Sequence, residues 1–304
     1  MKKILLPVLL LLAATGSVMA GTRILCTTLP MTIFTNAVTR GVPGVEVTQM
    51  LASAIGCPHD YALTPQDMRK LAGADVIVIN GLGMENFLDG VIARVNPKAL
   101  VIDSSKDVKG VLETCGEHNH DAQGRCTGHN HAKNEHLFAG PSTAADVVGS
   151  IAAELSRKDP ANAARYQANA KEYSAKLRKI AEEYAALGKT IPPSGRLIAV
   201  QHGIFDYLAA AAGLRVLNYL QAHTGTEPSA SQIRTFIREL KAHKTALILA
   251  EKNYPSRITN LISKESGVPV LTLAVYPDDH SANPEKYLEV FENNLKALKA
   301  FYKK

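Results

Sequence analysis

A single apolar stripe constrains the fold of this 304-residue chain more than any other feature. Between Asp159 and Gly188 apolar side chains recur at alternating spacings of four and three residues, at Tyr166, Ala170, Tyr173, Leu177, Ile180, Tyr184 and Leu187. This spacing predicts a helix with one buried face, N-capped by Asp159, opened by Pro160 and ended by Gly188. The helix would be about 43 Å long, more than one small lobe needs. We therefore predict that it links two lobes, in preference to forming a coiled-coil dimer.

Strand and helix signals alternate on both sides of this helix, so we predict an α/β fold. The predicted strands are residues 23–28, 45–51, 75–80 and 99–103 in the first half and 196–200, 214–220, 246–251 and 268–276 in the second. The predicted helices between them begin at Pro65, Met84, Ser142, His202, Ser229, Pro255 and Asn283. These elements form two βα-sandwich lobes, residues 21–158 and 189–304, joined by the linker helix 159–188. Ligands of such open sheets bind outside the carboxyl ends of the strands.

A histidine-rich loop, residues 115–135, interrupts the first lobe. The pattern Cys-x-x-His-x-His occurs in it twice, and its histidines are His118, His120, His129 and His131. Imidazole suits zinc, copper and nickel far better than calcium or magnesium. We predict weak auxiliary metal sites at these four histidines, whereas a merely solvated loop would be richer in Lys, Glu and Ser.

The first twenty residues have the pattern of a signal peptide. Lys2 and Lys3 precede an apolar run, and Val18-Met19-Ala20 ends in the small residues that signal peptidase cleaves. The run is shorter than the ~18 residues that a permanent span needs. We predict a soluble periplasmic protein without a lipid anchor. No basic cluster with interleaved aromatic residues is present, so nucleic acid is not a predicted partner.

Export makes disulfides possible for the four cysteines, Cys26, Cys57, Cys115 and Cys126. A bridge between Cys115 and Cys126 is favoured and would contribute roughly 3 kcal/mol in the chain-entropy model. A zinc knuckle built from the two Cys-x-x-His-x-His repeats is the competing interpretation. Cys26 and Cys57 are a further possible pair, because four cysteines allow three connectivities.

Four groups that can bind a metal lie at predicted carboxyl ends of strands, two in each half. They are His59, His136, His202 and Asp278. Three imidazoles and one carboxylate make a plausible four-coordinate zinc shell. A single histidine near a strand end is more often a hydrogen-bonded surface or core residue. Together, beside a histidine-rich loop, the four favour a metal site in the cleft between the lobes.

Three stretches of the chain resemble the ligand motifs of the periplasmic metal-binding proteins of zinc and manganese ABC importers. The segment His59-Asp60-Tyr61-Ala62-Leu63-Thr64-Pro65-Gln66-Asp67 is similar to the first-ligand motif of that family. Asn134-Glu135-His136-Leu137-Phe138 is similar to the second, and His202-Gly203-Ile204-Phe205-Asp206-Tyr207-Leu208 to the third. The resemblance implies two lobes joined by one long helix, with the metal between them.

The departures from the family pattern bear on the ligand set. The family usually has Asp-Pro before the second histidine and Trp after it, where this chain has Asn134-Glu135 and Phe138. The fourth ligand of the family is an acid after the last strand, which implies Asp278, with its neighbour Asp279 as the alternative. At the third position manganese carriers have Glu, whereas this chain has His202, and a nitrogen-rich shell favours zinc.

From the residues and the resemblance together we predict a non-enzymatic zinc-binding protein that delivers Zn²⁺ to an inner-membrane ABC permease. A periplasmic zinc buffer or chaperone, with or without other zinc chaperones as partners, and a manganese-type carrier of the same family remain alternatives. A hydrolase is disfavoured because His118-Asn119-His120-Asp121 lacks the further histidine of the His-x-His-x-Asp-His motif. No His-Glu-x-x-His is present either.

Overall fold

The computed structural model describes residues 21–52, 58, 61–115, 131–221, 227–252 and 256–303, with the backbone alone at 114, 115, 131 and 256. Two parallel four-stranded sheets organise this part of the chain. Helices pack on both faces of each sheet, as parallel sheets require, because neither face can be left exposed to solvent. The predicted α/β class with two lobes and one long helix is confirmed.

The first lobe has the strand order β2-β1-β3-β4, all parallel. Its strands are β1 (Thr22–Cys26), β2 (Val45–Gln49), β3 (Val76–Ile79) and β4 (Leu100–Asp103), and its helices are α1 (Leu29–Thr39), α2 (Pro65–Gly73), α3 (Val91–Val95) and α4 (Pro141–Lys158). An antiparallel hairpin of β5 (Glu113–Cys115) and β6 (His131–Lys133) lies between β4 and α4. The hairpin therefore brackets the histidine-rich loop.

The second lobe has the order β10-β9-β7-β8, again all parallel. The helix α5 (Ala163–Thr190) precedes it. Its strands are β7 (Leu197–Val200), β8 (Arg215–Tyr219), β9 (Leu247–Glu251) and β10 (Val270–Leu273), and its helices are α6 (Asp206–Ala211), α7 (Ala230–Ala242), α8 (Ser256–Ser266) and α9 (Pro284–Tyr302). The capping box of Ser229 with Gln232 fixes the start of α7, and Asn283 caps α9.

The long helix α5 buries the predicted apolar seam completely. All seven seam residues are buried. The Tyr173 hydroxyl donates to the carbonyl of Pro284 over 2.8 Å, and the Tyr184 hydroxyl to that of Phe291 over 2.8 Å, so the seam packs on α9. On the other side the Asn169 side-chain amide donates to the carbonyls of Val38 and Arg40, at the C-terminal end of α1, at 2.8 Å each. The helix thus contacts elements from both halves of the chain.

The ends of α5 differ from the sequence prediction. Residues 160–162 form a 3-10 turn, and the Asp159 carboxylate accepts from the Tyr166 hydroxyl at 3.0 Å instead of capping the backbone. Gly188 does not end the helix, which continues to Thr190. A side chain at Gly188 would collide with the carbonyl of Ala212, so this glycine provides a close approach to the second lobe.

Three other elements also differ. The predicted helix from Met84 is broken into a 3-10 turn, residues 86–88, and α3, because Gly90 between them has a left-handed φ of 69°. Gly140, not Ser142, precedes the first turn of α4. Helix α1 was not predicted.

No helix in the described part of the chain is long and apolar enough to span a membrane.

Candidate metal centre

His136 lies three residues after β6, in the segment that leads into α4. Only 6% of the residue is exposed. The following residues Leu137 and Phe138 are buried in a 3-10 turn, which anchors the histidine to the core. The side-chain amide of Asn80, at the end of β3, donates to the carbonyl of Glu135 over 2.9 Å. The backbone that carries His136 is therefore fixed on both sides.

His202 lies two residues after β7, at the carboxyl edge of the second sheet. The backbone N–H of Gln201 still donates to the carbonyl of Leu249 over 2.9 Å, so His202 begins where the ladder ends. Its backbone is extended and precedes the 3-10 turn Gly203–Phe205. The residue is 2% exposed. The sheet edge thus presents this imidazole from a rigid element.

The two imidazoles meet, although 66 residues separate them in the sequence. Their ring centroids are 5.5 Å apart and their planes are inclined at 75°. A tetrahedral ion with metal–nitrogen bonds of ~2.1 Å would separate two ring centroids by roughly 5 Å. The observed spacing therefore suits two ligands of one zinc ion, and two of the four predicted site residues come together.

Asn134 connects the segment of His136 to that of His202. Its Oδ1 accepts from the backbone N–H of His136 at 2.9 Å and lies 3.0 Å from His136 Nδ1. Its Nδ2 donates to the Gly203 carbonyl at 2.8 Å and to Asp206 Oδ2 at 2.9 Å. The Tyr207 hydroxyl donates to the carbonyl of Asn134 over 2.6 Å. The Asn134 backbone N–H donates to the carbonyl of Leu112 over 2.8 Å, so five hydrogen bonds and one close ring contact converge on this buried residue.

Two partly or fully buried acids lie near His136. Asp206, on the first turn of α6, is 6% exposed, and burial raises the pKa of its carboxyl to about 7 against the opposing hydrogen bonds from Tyr219 and Asn134. Glu251 ends β9, and burial likewise raises the pKa of its carboxyl to about 7, with His136 opposing the shift. Both acids therefore add negative charge near the imidazoles once they ionise, which favours a bound cation.

Asp278 and Asp279 occupy a different environment. The Asp278 side chain is 73% exposed, and Lys252 Nζ lies 2.7 Å from its Oδ2. The Asp279 carboxylate pairs with Lys286, and the hydrogen bonds from Lys286 and Ser281 lower the pKa of this carboxyl to about 2. The predicted fourth ligand is thus engaged by a lysine of its own lobe and is not grouped with the imidazoles in this structure.

The described residues contain part of the predicted site. Among them, no group of three or more His, Cys, Asp and Glu side chains is arranged to hold a metal ion. His59 lies outside the described residues, and so do His118, His120 and His129. His131 is described only by its backbone in β6. The ligand set His59, His136, His202 and Asp278 therefore remains a prediction.

The cysteines are described in part. Cys26 is free, so the possible pairing of Cys26 with Cys57 is wrong. Cys26 is also fully buried, and burial raises the pKa of its thiol to about 12. Cys57 and Cys126 lie outside the described residues, and Cys115 is described only by its backbone in β5. The bridge between Cys115 and Cys126 remains a prediction.

Comparison with known proteins identifies the family. Residues 24–301 match the family model described as zinc-uptake complex component A, periplasmic. The chain belongs to this family. The match covers both lobes and α5, so the resemblance inferred from the three ligand motifs is confirmed.

The curated relatives of this chain include proteins named AdcA and a protein named ZnuA. The zinc-binding lipoprotein AdcA of Streptococcus pneumoniae is 30% identical over 285 residues, which cover 91% of this chain and 55% of the relative. The chain thus spans about half the length of the AdcA relatives it matches. The high-affinity zinc uptake system protein ZnuA of Bacillus subtilis is 27% identical over 274 residues, 89% of this chain and 84% of the relative.

Solved structures share the fold of this component A chain. The solute-binding protein FpvC of Pseudomonas aeruginosa, in complex with Mn²⁺, matches with a TM-score of 0.79 at 30% identity, over 93% of this chain and 98% of that one. A crystal structure of ZnuA matches with a TM-score of 0.73 at 22% identity, over 93% and 99% of the two chains. The latter likeness shows the fold alone.

Two acidic residues of the candidate site, Asp206 and Glu251, were not predicted from the sequence. Asp206 lies within the stretch that resembles the third-ligand motif, four residues after His202, and this was the available signal. Glu251 ends a predicted strand and could have been found by the carboxyl-edge rule that found the histidines. Asn134 was noted only as a departure from the family's Asp, and its contacts with Gly203 and Asp206 had no signal in the sequence.

Proposed function

We propose that this chain is the zinc-capturing component of an ABC-type importer: it binds Zn²⁺ outside the cytoplasm and delivers the ion to a membrane permease. The observation that carries the proposal is the contact between two buried imidazoles, His136 and His202, presented by different lobes at 5.5 Å. Its family membership supports the same function. A solute-binding role needs only a site that captures and releases the ion, with no general base or activated water.

The proposed ligands are His59, His136, His202 and Asp278, with Asp279 as the alternative acid. Three neutral imidazoles and one carboxylate suit zinc, which accepts nitrogen and oxygen ligands in a closed tetrahedral shell. In this structure Asp278 pairs with Lys252, both side chains being largely exposed. Exposed ion pairs are worth ~0–1 kcal/mol, so the carboxylate can exchange Lys252 for the metal at little cost.

The four loop histidines His118, His120, His129 and His131 are proposed as weak auxiliary sites. Ordering a long polar loop around an ion costs about 1–2 kcal/mol per residue in backbone entropy. Sites there are consequently weaker than the cleft. Tethered imidazoles still raise the local zinc concentration, and β6, which contains the last of these four histidines, ends three residues before His136. The loop would therefore feed the cleft.

A manganese carrier of the same fold is the second candidate, because FpvC, at 30% identity, is described in complex with Mn²⁺. Manganese prefers oxygen ligands, whereas the two ligands brought together here are imidazoles. The donor set therefore favours zinc. A buffer or chaperone that hands zinc to other proteins would use the same site and differs only in its partner.

Metal competition tests the proposal. The purified, metal-stripped protein is titrated with Zn²⁺, Mn²⁺ and Cu²⁺ in the presence of a chelator of known affinity, and the bound metal is counted. We expect one tight zinc equivalent that excess Mn²⁺ does not displace. Tight manganese binding with weak zinc binding would contradict the proposal. Zinc-dependent association with the permease, measured in membrane vesicles, separates the importer from a buffer or chaperone.

A further inference from the structure

The orientation of the Asn134 side-chain amide is decided by its neighbours. One end of the amide faces the Gly203 carbonyl, which can only accept, at 2.8 Å, and Asp206 Oδ2, which also accepts from the Tyr219 hydroxyl, at 2.9 Å. That end must be the NH₂ group, because an oxygen there would face the carbonyl oxygen of Gly203 with no hydrogen between them. The other end is therefore Oδ1, which faces His136.

This orientation determines which nitrogen of His136 carries the proton. Oδ1 of Asn134 accepts the backbone N–H of His136 and lies 3.0 Å from its Nδ1. An amide oxygen has no proton to donate, so the contact is a hydrogen bond only when Nδ1 carries the hydrogen. A Glu135 oxygen 3.8 Å from the same nitrogen acts in the same sense. In the neutral ring, Nε2 is then the nitrogen with the lone pair.

We propose that Asn134 is a positioning residue for metal capture: it holds His136 in the tautomer that presents Nε2 to the ion and ties this ring to the turn that directly follows His202. The inference rests on the proposed function, in which His136 is a zinc ligand. A ligating histidine usually donates its second ring N–H to such a partner, which fixes the ring orientation. Here the partner is a side chain that also bonds to the opposite lobe.

The connection to the second lobe gives Asn134 a second effect. Its NH₂ group bonds to the carbonyl of Gly203, the residue next to His202, and to Asp206 on the same turn. The Tyr207 hydroxyl bonds to the Asn134 carbonyl and accepts from the N–H of Leu112 at 3.2 Å. A side chain on Gly140 would come within 2.5 Å of Tyr207 Cβ, so the segments touch directly. The two imidazoles are thus held in one frame before the ion arrives.

An acid at position 134 would fit this frame poorly. The carboxylate would accept from His136 as the amide oxygen does, but its second oxygen would face the Gly203 carbonyl and the buried Asp206 carboxyl. Like charges at a buried site repel strongly. The amide of Asn134 and the acid of Asp206 are therefore complementary, and a change in one is expected to be compensated in part by a change in the other.

The tautomer can be measured directly in the zinc-free protein. Protein with ¹⁵N-labelled histidine is studied at pH 8 by long-range ¹H–¹⁵N correlation, and the His136 signals are assigned by their loss in His136→Gln. We expect the proton on Nδ1 in the wild type and a mixture of both tautomers in Asn134→Ala. A wild-type ring with its proton on Nε2 would overturn the proposal without any variant having to fold.

Zinc affinity gives the second readout. Asn134→Ala should weaken the tight zinc site by roughly 10–100-fold, the usual effect of losing such a partner. Asn169→Ala is the matched control, because Asn169 is also a buried asparagine, 6% exposed against 0% for Asn134, whose amide likewise donates to two acceptors, at α1. It should lower stability and leave both zinc affinity and the His136 tautomer unchanged. Equal loss of zinc affinity in the two variants would reduce Asn134 to a structural role and overturn the proposal.

A compensating second substitution distinguishes a positioning role of Asn134 from a general loss of stability. Asn134→Asp should weaken zinc binding, and adding Asp206→Asn should restore part of the loss, because the new amide can donate to the introduced carboxylate. Absence of any restoration would contradict the proposed pairing. If His136→Ala binds zinc as the wild type does, the proposed ligand set fails, whereas the tautomer measurement still reports on Asn134 independently.

Discussion

Two parts of the carboxyl edge of the second sheet carry predicted ligands, and they differ in burial. The part around the ends of β7 and β9 is called the buried edge: there His202 is 2% exposed and contacts His136 across the lobes. The part after β10 is called the exposed edge: there the Asp278 side chain is 73% exposed and pairs with Lys252. The sequence offered both as ligands at carboxyl ends of strands, and it had no sign that one is buried and the other is not.

The difference suggests separate roles for the imidazoles and the acid in metal capture. The imidazoles are already ordered, so binding an ion to them costs little side-chain entropy. The acid must first leave its lysine, but an exposed pair holds it only weakly. Phe138, two residues after His136 in the first lobe, stacks on Tyr276, two residues before Asp278, with ring centroids 6.0 Å apart. This contact keeps the segment of the acid beside the segment of His136. We infer that the imidazoles provide most of the affinity and the acid closes the shell.

The largest effect is expected at the buried edge. His202→Ala removes one imidazole from a four-ligand shell, so tight zinc binding should fall by more than the ~10–100-fold that loss of an outer-shell partner causes. Competitive calorimetry against a chelator measures this loss. His243→Ala, at the end of α7 in the same lobe, is the control and should bind zinc as the wild type does. Wild-type affinity in His202→Ala would place the zinc site elsewhere.

A smaller effect is expected at the exposed edge. Asp278→Ala should weaken zinc binding by roughly tenfold, because water can occupy the position of the lost carboxylate. The same titration with Asp279→Ala tests the alternative acid. Glu251→Gln is the informative comparison, since Glu251 lies near His136 and was not among the predicted ligands. If Glu251→Gln loses more affinity than Asp278→Ala, the ligating acid belongs to the buried edge.

The fold was predictable where burial leaves a period in the sequence. The seam of α5 repeats every three or four residues, and every seam residue is buried. Helix α1 was missed because ten of its eleven residues are buried, which leaves no polar face to reveal the helical period. The hairpin β5–β6 was missed because its strands have three residues each, too few for an alternating pattern.

The sequence predicted which residues of the candidate site lie at the end of a strand, but it did not predict which of them contact each other. The carboxyl-edge rule found His136 and His202 because it depends on local strand order alone. The bond between Asn134 and Asp206 spans 72 residues and exists only because the lobes meet. The Lys252 contact that holds Asp278 away from the imidazoles spans 26 residues and joins the ends of two neighbouring strands. Such contacts follow from packing, which a local pattern does not encode.

Acidity gives a test of the two edges that needs no metal. Burial raises the pKa of Asp206 to about 7, whereas the lysine contact lowers that of Asp279 to about 2. A raised carboxyl pKa stabilises the folded protein below about pH 4, and this contribution is lost as the pH rises through about 7. The zinc-free Asp206→Asn variant should therefore melt a few degrees above the wild type at pH 8, with the difference shrinking toward pH 4.

The matching variant at the exposed edge should respond in the other direction. A lowered pKa contributes stability above about pH 4 that is lost as the pH falls toward 2. Asp279→Asn should accordingly lower the melting temperature slightly at pH 8 and have no effect at pH 2. Melting curves of both variants between pH 2 and pH 8 test the two predictions together. Parallel curves for Asp206→Asn and the wild type would show that the buried carboxyl does not titrate in this range.

The smallest effect on the tight site is expected from the histidine-rich loop. Cys115 and His131 are paired positions in the antiparallel hairpin of β5 and β6, so the loop starts and ends at neighbouring points. Replacing residues 116–130 by an Asn-Gly turn suits a two-residue hairpin connection and leaves both strands in register. We expect this variant to keep one tight zinc equivalent, to lose the weaker ones, and to capture zinc more slowly from a dilute chelated pool. Stopped-flow measurements report the rate of capture, and equilibrium titration reports the number of zinc equivalents. The control variant keeps the native loop length and has every histidine of the loop replaced by asparagine. Loss of the tight equivalent with an unchanged circular dichroism spectrum would mean that the loop supplies a primary ligand, and the buried edge would then be only half of the site.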